Sequence, residues 1–259
     1  MDDVAVVTIL RGADASRTLP RLGGMARAGG VAIVSEQIWS YSRVDGGVSS
    51  STMPQTPALL VKLPLVRGLV KLGLALAPMF RRGGAAGPRE RLFLLAALFA
   101  PLPLIVAPAG ARSAIVALLT VALVLWMLRG RTLRLHGAEH RAIAAAEERS
   151  LVETWYGRAT PSRFSPRCGT NFAALLIPMS LLLERLWILP TASLTPVLVT
   201  LAALTLTMEL WLAAQRLLSS VGRFVMLPGM LLQRLTTREP RLEDTRVALR
   251  AVAEVLSRR

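Results

Sequence analysis

Cysteine and histidine are almost missing from this sequence. The 259 residues include one cysteine, Cys168, and two histidines. A single cysteine excludes a disulfide within the chain, so cysteine usage leaves the redox compartment open. The first residues also lack a basic stretch followed by a clean apolar core, and we therefore expect no cleavable signal peptide.

Charged residues are scarce as well, and acidic residues are about half as numerous as basic ones. The charged fraction is 18%, with 31 Lys and Arg against 16 Asp and Glu, whereas a soluble domain usually carries about 25%. A basic soluble protein would suggest a nucleic-acid partner. A basic membrane protein instead places its cations in cytoplasmic loops that face anionic lipid headgroups. Because 53% of the residues are hydrophobic, we expect membrane lipids as partners and no nucleic acid; protein partners are not predicted.

Two long apolar blocks predict a mainly α-helical, polytopic membrane protein with two transmembrane helical hairpins. Arginines flank the shared end of both hairpins, and the tips offer only Arg112, which predicts that both termini and the central loop are cytoplasmic. The predicted regions are a small soluble N-terminal region with a β-hairpin at 1–56, an interfacial amphipathic helix and linker at 57–91, the first transmembrane hairpin at 92–128, a cytoplasmic loop at 129–170, the second transmembrane hairpin at 171–215, and cytoplasmic C-terminal helices at 216–259.

Local patterns add detail to three of these regions. Strand-type residues at 31–43 and the turn signal Asp45-Gly46-Gly47 predict the β-hairpin, and residues 49–56 are predicted as a loop. Cations interrupt the apolar run 57–80, which predicts a helix that lies in the membrane interface; packing on the rest of the protein is the alternative. The pair Pro228-Gly229 predicts a helix break.

Both histidines belong to one short motif, His136-Gly-Ala-Glu139-His140. Its spacing matches the His-x-x-Glu-His arrangement of inverzincin metallopeptidases. On a helix, histidines four residues apart are offset by about 40°, so their imidazoles can bind one ion. Glu139 is within reach of a water bound to that ion and is the candidate catalytic general base. Cys168 is the candidate third metal ligand, because the topology returns it to the same membrane face and because thiolate and imidazole suit zinc or another divalent metal.

Three further residues are candidates to support this site or to face a substrate. Glu147 lies on the same helix face as His136, although too far along the axis to bind the same ion. Arg167 precedes Cys168, and Glu209 is an ionisable residue inside a predicted span, where such groups are often functional. The motif is short, however, and a solvated helix face without any metal is the alternative interpretation.

Four separated stretches resemble one family. They are His136 to Arg141 with Glu147, Pro166-Arg-Cys-Gly-Thr170 with Phe172, Leu231 to Pro240, and Pro64-Leu-Val-Arg-Gly68. Together they resemble the YqhQ-like bacterial membrane proteins, domain of unknown function 1385, described as predicted metal-dependent enzymes. The resemblance implies a multi-pass protein of the bacterial inner membrane and a metal site, and it implies no reaction. This chain departs from the family at Ser165, where a histidine is usual, and retains the family's N-terminal glycine motif only as Gly23-Gly24-Met-Ala26.

Three functions follow as hypotheses. The first is a metal-dependent hydrolase with its site facing the cytoplasm. The second is a non-catalytic membrane scaffold or assembly factor, which the loss of a histidine at position 165 favours. The third is a transporter of small solutes or ions along Glu184, Arg185 and Glu209, although the few spans and the lack of an inverted repeat disfavour it.

Overall fold

The computed structural model describes residues 2–80, 86–88, 91–92, 95–96, 118, 130–188, 195–216 and 220–258. Within them the chain is mainly helical and carries a small antiparallel sheet near the N-terminus, as the sequence predicted. The first predicted transmembrane hairpin, 92–128, lies almost wholly outside the described residues, as does the tip of the second.

Helices form most of the described chain. The loop predicted at 129–170 is largely helical, because its alanine-rich sequence favours a helix, and an N-terminal helix capped by Asp2 was not predicted from the sequence. The helices of the described residues are α1 (Asp3–Ala15), α2 (Ala58–Lys62), α3 (Val66–Phe80), α4 (Gly130–Glu148), α5 (Leu151–Trp155), α6 (Gly169–Leu186), α7 (Thr195–Arg216), α8 (Ser220–Thr236) and α9 (Leu242–Ser257).

The sheet is an antiparallel meander in the order β1-β2-β3-β4, so that β1 and β4 are its edges. The turn between the last two strands lies where the sequence predicted it. There Gly46 has a φ of +94°, a left-handed conformation that glycine adopts without strain, and the Arg43 N–H donates to the Gly47 carbonyl at 2.7 Å. The strands are β1 (Gly23–Arg27), β2 (Gly30–Val34), β3 (Ile38–Arg43) and β4 (Val48–Thr52).

Two local predictions were wrong. The loop predicted at 49–56 is partly strand β4, because pairing with β3 and a hydrogen bond from Ser50 to Glu254 stabilise a serine-rich segment of low apolar content. Helix α8 also continues through Pro228-Gly229 instead of breaking there. The missing Cβ at Gly229 lets α8 approach the backbone and side chain of Asn171 on α6, so this glycine serves helix packing here and not a turn.

The core lies between one face of the sheet and two helices. Helix α4 packs on β1 and β2, while α9 packs on all strands from β2 to β4 and on α4. Leu10, Ile33, Leu135 and Leu249 are fully buried in this core. Helices α6, α7 and α8 contact one another, and α3 packs on α7. The two groups of helices meet around residues 163–171 and 233–240, where the candidate site lies.

One helix among the described residues, within α7 at Val197–Arg216, is long and apolar enough to cross a membrane. Only 28% of that window is buried inside the protein, whereas the core helix of a soluble protein is mostly buried. The described residues thus contain a single candidate span, and the two-hairpin topology remains a prediction.

Candidate metal centre

Helix α4 presents its motif toward the protein interior. Glu139 and His140 are buried, at 5% and 2% exposure, and His136 is half-buried. Burying such polar side chains costs free energy unless they find partners. Gly137 contributes by allowing close approach, because a Cβ there would collide with the Arg238 carbonyl. The chain after α8 therefore crosses directly over α4 beside the motif.

The structure brings His136, His140 and Cys168 together. One ligand atom from each of the three lies within 4.8 Å of the others, so the group could hold a metal ion. The His136 Nε2 atom is 3.2 Å from the Cys168 Sγ. A tetrahedral zinc ion separates its nitrogen and sulfur ligands by about 3.4 to 3.8 Å. Side-chain movements of about 1 Å would bring all three atoms to that spacing.

Each imidazole is oriented by a backbone carbonyl. The Nδ1 of His136 lies 2.8 Å from the carbonyl oxygen of Thr236, the last residue of α8, and the Nδ1 of His140 lies 2.7 Å from that of Arg163. Because a carbonyl can only accept, each Nδ1 must carry the proton. The neutral rings then offer Nε2 as the ligand atom, which is the usual arrangement around a metal-binding histidine.

Cys168 is held at the start of α6 as its N-cap residue. Its sulfur accepts hydrogen bonds from the Thr170 N–H at 3.5 Å and the Thr170 hydroxyl at 3.2 Å. The preceding turn is fixed by Gln233, which bonds both the N–H and the carbonyl of Ser165, and by Asn171, which donates to the same carbonyl. The sulfur position is therefore set by α6 and α8 together.

Glu139 stands beside the ligands without a hydrogen-bond partner among the described residues. Burial raises the pKa of its carboxyl to about 7, and a positive charge on the nearby His136 ring, which the neutral form of that ring lacks, would lower this pKa. The side chain lies over Gly24 of β1, where a Cβ would come within 2.8 Å of its Cγ and 2.9 Å of its Oε1. A glycine is therefore needed under this carboxylate.

Arg141 stabilises the surroundings of the motif. This buried side chain donates to the Pro161 carbonyl at 3.1 Å and to the Glu239 carboxylate at 2.6 Å. The Arg238 N–H also donates to the Leu133 carbonyl of α4 at 2.9 Å. These bonds fix the segments that supply the Arg163 and Thr236 carbonyls to the two histidines.

A cavity of about 260 Å³ adjoins the three ligands and Glu139. Three parts of the chain line it: strand β1 with the preceding residue, helix α4, and the turn into α6. The lining residues are Leu22, Gly23, Gly24, Met25, Ala26, His136, Glu139, His140, Ile143, Ser165, Arg167, Cys168, Gly169 and Thr170. The three candidate ligands and Glu139 thus line one shared cavity.

The remaining predicted residues lie around this cavity or away from it. Arg167 lines the cavity and forms an ion pair with Glu147, and burial lowers its pKa. Glu209 instead forms an ion pair with Arg67 of α3 and accepts a bond from the Leu65 N–H. Glu209 is not among the residues that line the cavity. Its carboxylate instead stabilises the contact between α3 and α7.

Four residues around the site were not predicted from the sequence, because they act through a backbone carbonyl or through the absence of a side chain. Thr236 and Arg163 contribute carbonyls, and Gly24 and Gly137 contribute space. The only available signals were the retained Gly23-Gly24-Met-Ala26 stretch and the Leu231 to Pro240 block of the family resemblance, and neither signal assigns a role to a residue.

Comparison with known protein families gives a match that covers the motif of α4. No curated protein and no solved structure matches the chain significantly. A family described as a protein of unknown function (DUF1385) matches residues 93–258, which include α4, the turn into α6 and the end of α8. The three ligand candidates and Glu139 all fall within the match. The chain is therefore a member of the DUF1385 family.

Proposed function

We propose that this protein is a metal-dependent hydrolase of the bacterial inner membrane, with the ion held by His136, His140 and Cys168. The observation that carries the proposal is their convergence beside Glu139, a buried carboxylate without a hydrogen-bond partner in the described chain. A structural site usually satisfies all four positions of zinc with protein ligands, whereas a catalytic site keeps one position open. Three ligands that face a cavity fit the second arrangement.

Zinc is the ion that the donor set favours. Imidazole nitrogen and thiolate sulfur both suit zinc, while magnesium and calcium require oxygen ligands. When bound, the ion would act as a Lewis acid that polarises a substrate carbonyl or phosphoryl group. The two histidines contribute neutral nitrogen atoms, and their Nδ1 bonds to Thr236 and Arg163 hold the rings in the tautomer that this role needs.

Glu139 is the general base in this proposal. Its carboxylate takes a proton from an attacking water as the new bond to oxygen forms, and it returns that proton to the leaving group as the scissile bond breaks. The carboxylate lies beside the ligand atoms, where it can accept and return a proton. Burial raises its pKa, and the charge of a bound ion would lower it. The adjacent Gly24 keeps the carboxylate at this position.

Exposed apolar helix faces support the membrane location. Soluble proteins rarely expose large contiguous apolar patches, yet α6 and α8 both do so beside the candidate span of α7. On α8 the exposed residues recur on one helix face, as in a helix that lies in a lipid interface. The exposed residues are Ile177, Leu181 and Leu186 on α6, and Val221, Phe224, Leu227, Leu231 and Leu235 on α8. With the arginine distribution, they support two hairpins and cytoplasmic termini.

Elemental analysis of the full chain tests the metal. The protein is purified in detergent after growth with zinc, beside His136→Ala, Cys168→Ala and Glu147→Gln. We expect about one zinc per chain in the wild type, loss in the first two variants, and retention in Glu147→Gln, because Glu147 pairs with Arg167. Metal-free wild type, or unchanged metal in both ligand variants, would reject the site.

A second experiment separates the hydrolase from a metal-stabilised scaffold. The zinc-loaded protein is incubated with fluorogenic peptide, ester and phosphodiester libraries. We expect turnover of one class, and we expect Glu139→Gln to keep its zinc and lose at least 100-fold in rate, within the usual contribution of a general base. Stoichiometric zinc without turnover of any class would favour the scaffold alternative.

A further inference from the structure

The free edge of β1 borders the candidate metal centre. Among the described residues, strand β1 is an edge of the sheet and its one paired neighbour is β2. Four of its five residues, Gly23 to Ala26, line the cavity that also contains the three ligand candidates. The strand edge and the proposed hydrolytic centre therefore share one space.

The register shows which backbone groups point into that space. The hairpin of β1 and β2 has a two-residue turn between Arg27 and Gly30, so this pair exchanges both hydrogen bonds and the pairing then alternates. Met25 and Gly23 thus bond to β2. The N–H and C=O groups of Gly24 and Ala26 therefore point away from β2. The described part of the chain makes no hydrogen bond to these outward groups.

We infer that the substrate is an extended polypeptide segment that adds to β1 as a further strand; the inference rests on the proposed hydrolase function. Alternate residues of a strand present a donor and an acceptor at a repeat of about 6.8 Å. A polypeptide backbone has the matching repeat, and strand addition at an exposed edge is a general mode of peptide binding. A lipid headgroup or a sugar does not offer it.

The position of Gly24 connects this edge to the chemistry. Its Cα lies directly beneath the Glu139 side chain, which a Cβ at this residue would contact. A peptide bond paired with Gly24 therefore lies next to the proposed base and the ion. The opposite edge, β4, has no such neighbour, because Ser50 there bonds to Glu254 on α9 and β4 does not line the cavity.

Proline substitutions can remove an outward N–H without breaking the ladder, because edge strands tolerate proline where the N–H faces away from the sheet. Ala26→Pro removes one proposed donor from the cavity edge. Val48→Pro is its matched control, since Val48 pairs with Ser42 at a position of β4 whose N–H also faces outward.

The experiment measures binding to the zinc-loaded full chain in detergent. The probes are acetohydroxamate, a tetrapeptide library that ends in the same hydroxamate, and that library with N-methylated backbone amides. We expect the peptides to bind at least about tenfold more tightly than acetohydroxamate, since each added hydrogen bond contributes modestly. N-methylation or Ala26→Pro should abolish that gain, and Val48→Pro should keep it.

The outcomes separate the two proposals. Equal binding of acetohydroxamate and the peptides would overturn the polypeptide inference and leave the metal hydrolase intact. A peptide gain that survives both N-methylation and Ala26→Pro would also overturn strand addition. If no hydroxamate binds to protein that elemental analysis shows to contain zinc, both the hydrolase and its polypeptide substrate are rejected.

Discussion

Helices α4 and α7 invert the usual relation between polarity and burial. Helix α4 contains histidine, glutamate and several arginines, yet more than half of its residues are buried. Helix α7 is largely apolar, with Glu209 as its one acidic residue, and only 28% of its candidate span is buried. In water, both the exposure of apolar side chains on α7 and the burial of polar side chains on α4 would be unfavourable. It is stable if α7 faces lipid, and if hydrogen bonds and an ion satisfy the polar groups of α4.

The largest effect is expected from a charge on the buried face of α4. Ala142 is fully buried in the core, and Ala142→Asp places a carboxylate there without a partner. We expect the free energy of unfolding to fall by at least about 4 kcal/mol, the range of severe core substitutions. Denaturant unfolding in detergent measures it. Val4→Asp, at an exposed position of α1, should change little; similar losses in both would mean that α4 is not a core helix.

A charge on α7 tests the other side of the comparison. Leu206 is exposed near the middle of the candidate span. Leu206→Arg should cost about 3 kcal/mol of insertion free energy if the helix faces lipid, and should be harmless if it faces water. Fractionation of cells, with the share of protein in the membrane pellet as readout, measures the result. An unchanged pellet fraction for Leu206→Arg would contradict a lipid-facing α7.

A smaller effect is expected from a methyl group added at Gly24, which lies against Glu139 of α4. Gly24→Ala adds a Cβ at 2.8 Å from the Glu139 Cγ and 2.9 Å from the Ala32 carbonyl oxygen, and this overpacking costs about 1–3 kcal/mol of stability. Zinc content should be unchanged while hydrolysis falls, because Glu139 moves and the ligands do not. Gly23→Ala is the matched control, since its Cβ would meet Val34 at an ordinary 3.4 Å. Equal hydrolytic activity in both variants would contradict the proposed role of Glu139 as the general base.

The smallest effect is expected from a candidate fourth metal ligand added at position 165. Ser165 lines the same cavity as Cys168, at the position where the resemblance places a histidine. Ser165→His should raise zinc affinity by about tenfold, or about 1.4 kcal/mol, by adding a nitrogen ligand. Competition with a chromogenic chelator measures the affinity. Ser162→His, on an exposed part of the same segment, should leave the affinity unchanged.

Sequence patterns predicted the features that depend on local spacing. The His-x-x-Glu-His interval places His136 and His140 on one helix face, and the fold brings Cys168 close to them. The apolar blocks gave the helical class, and the glycines at 46 and 47 marked a turn. Each of these depends on a few neighbouring residues or on a long composition bias, which a single sequence displays directly.

Features that depend on distant packing could not be read in this way. Strand β4 is serine-rich and forms because β3 and α9 lie beside it. Helix α8 continues through Pro228, and Gly229 beside it packs closely on Asn171 of another helix. Gly24 beneath Glu139 leaves no local signature, since a glycine needed for space looks like any turn glycine. Carbonyls that orient histidines leave none either, because every residue has one.

The hydrogen bond between His136 and Thr236 has a consequence for α8. A helix leaves its last carbonyls without intrahelical partners, and Thr236 ends α8. The imidazole therefore serves as the C-terminal cap of a helix from a different part of the chain. The tilt of the His136 ring and the end of α8 are therefore coupled, because a shift of the Thr236 carbonyl would re-aim the nitrogen that faces Cys168.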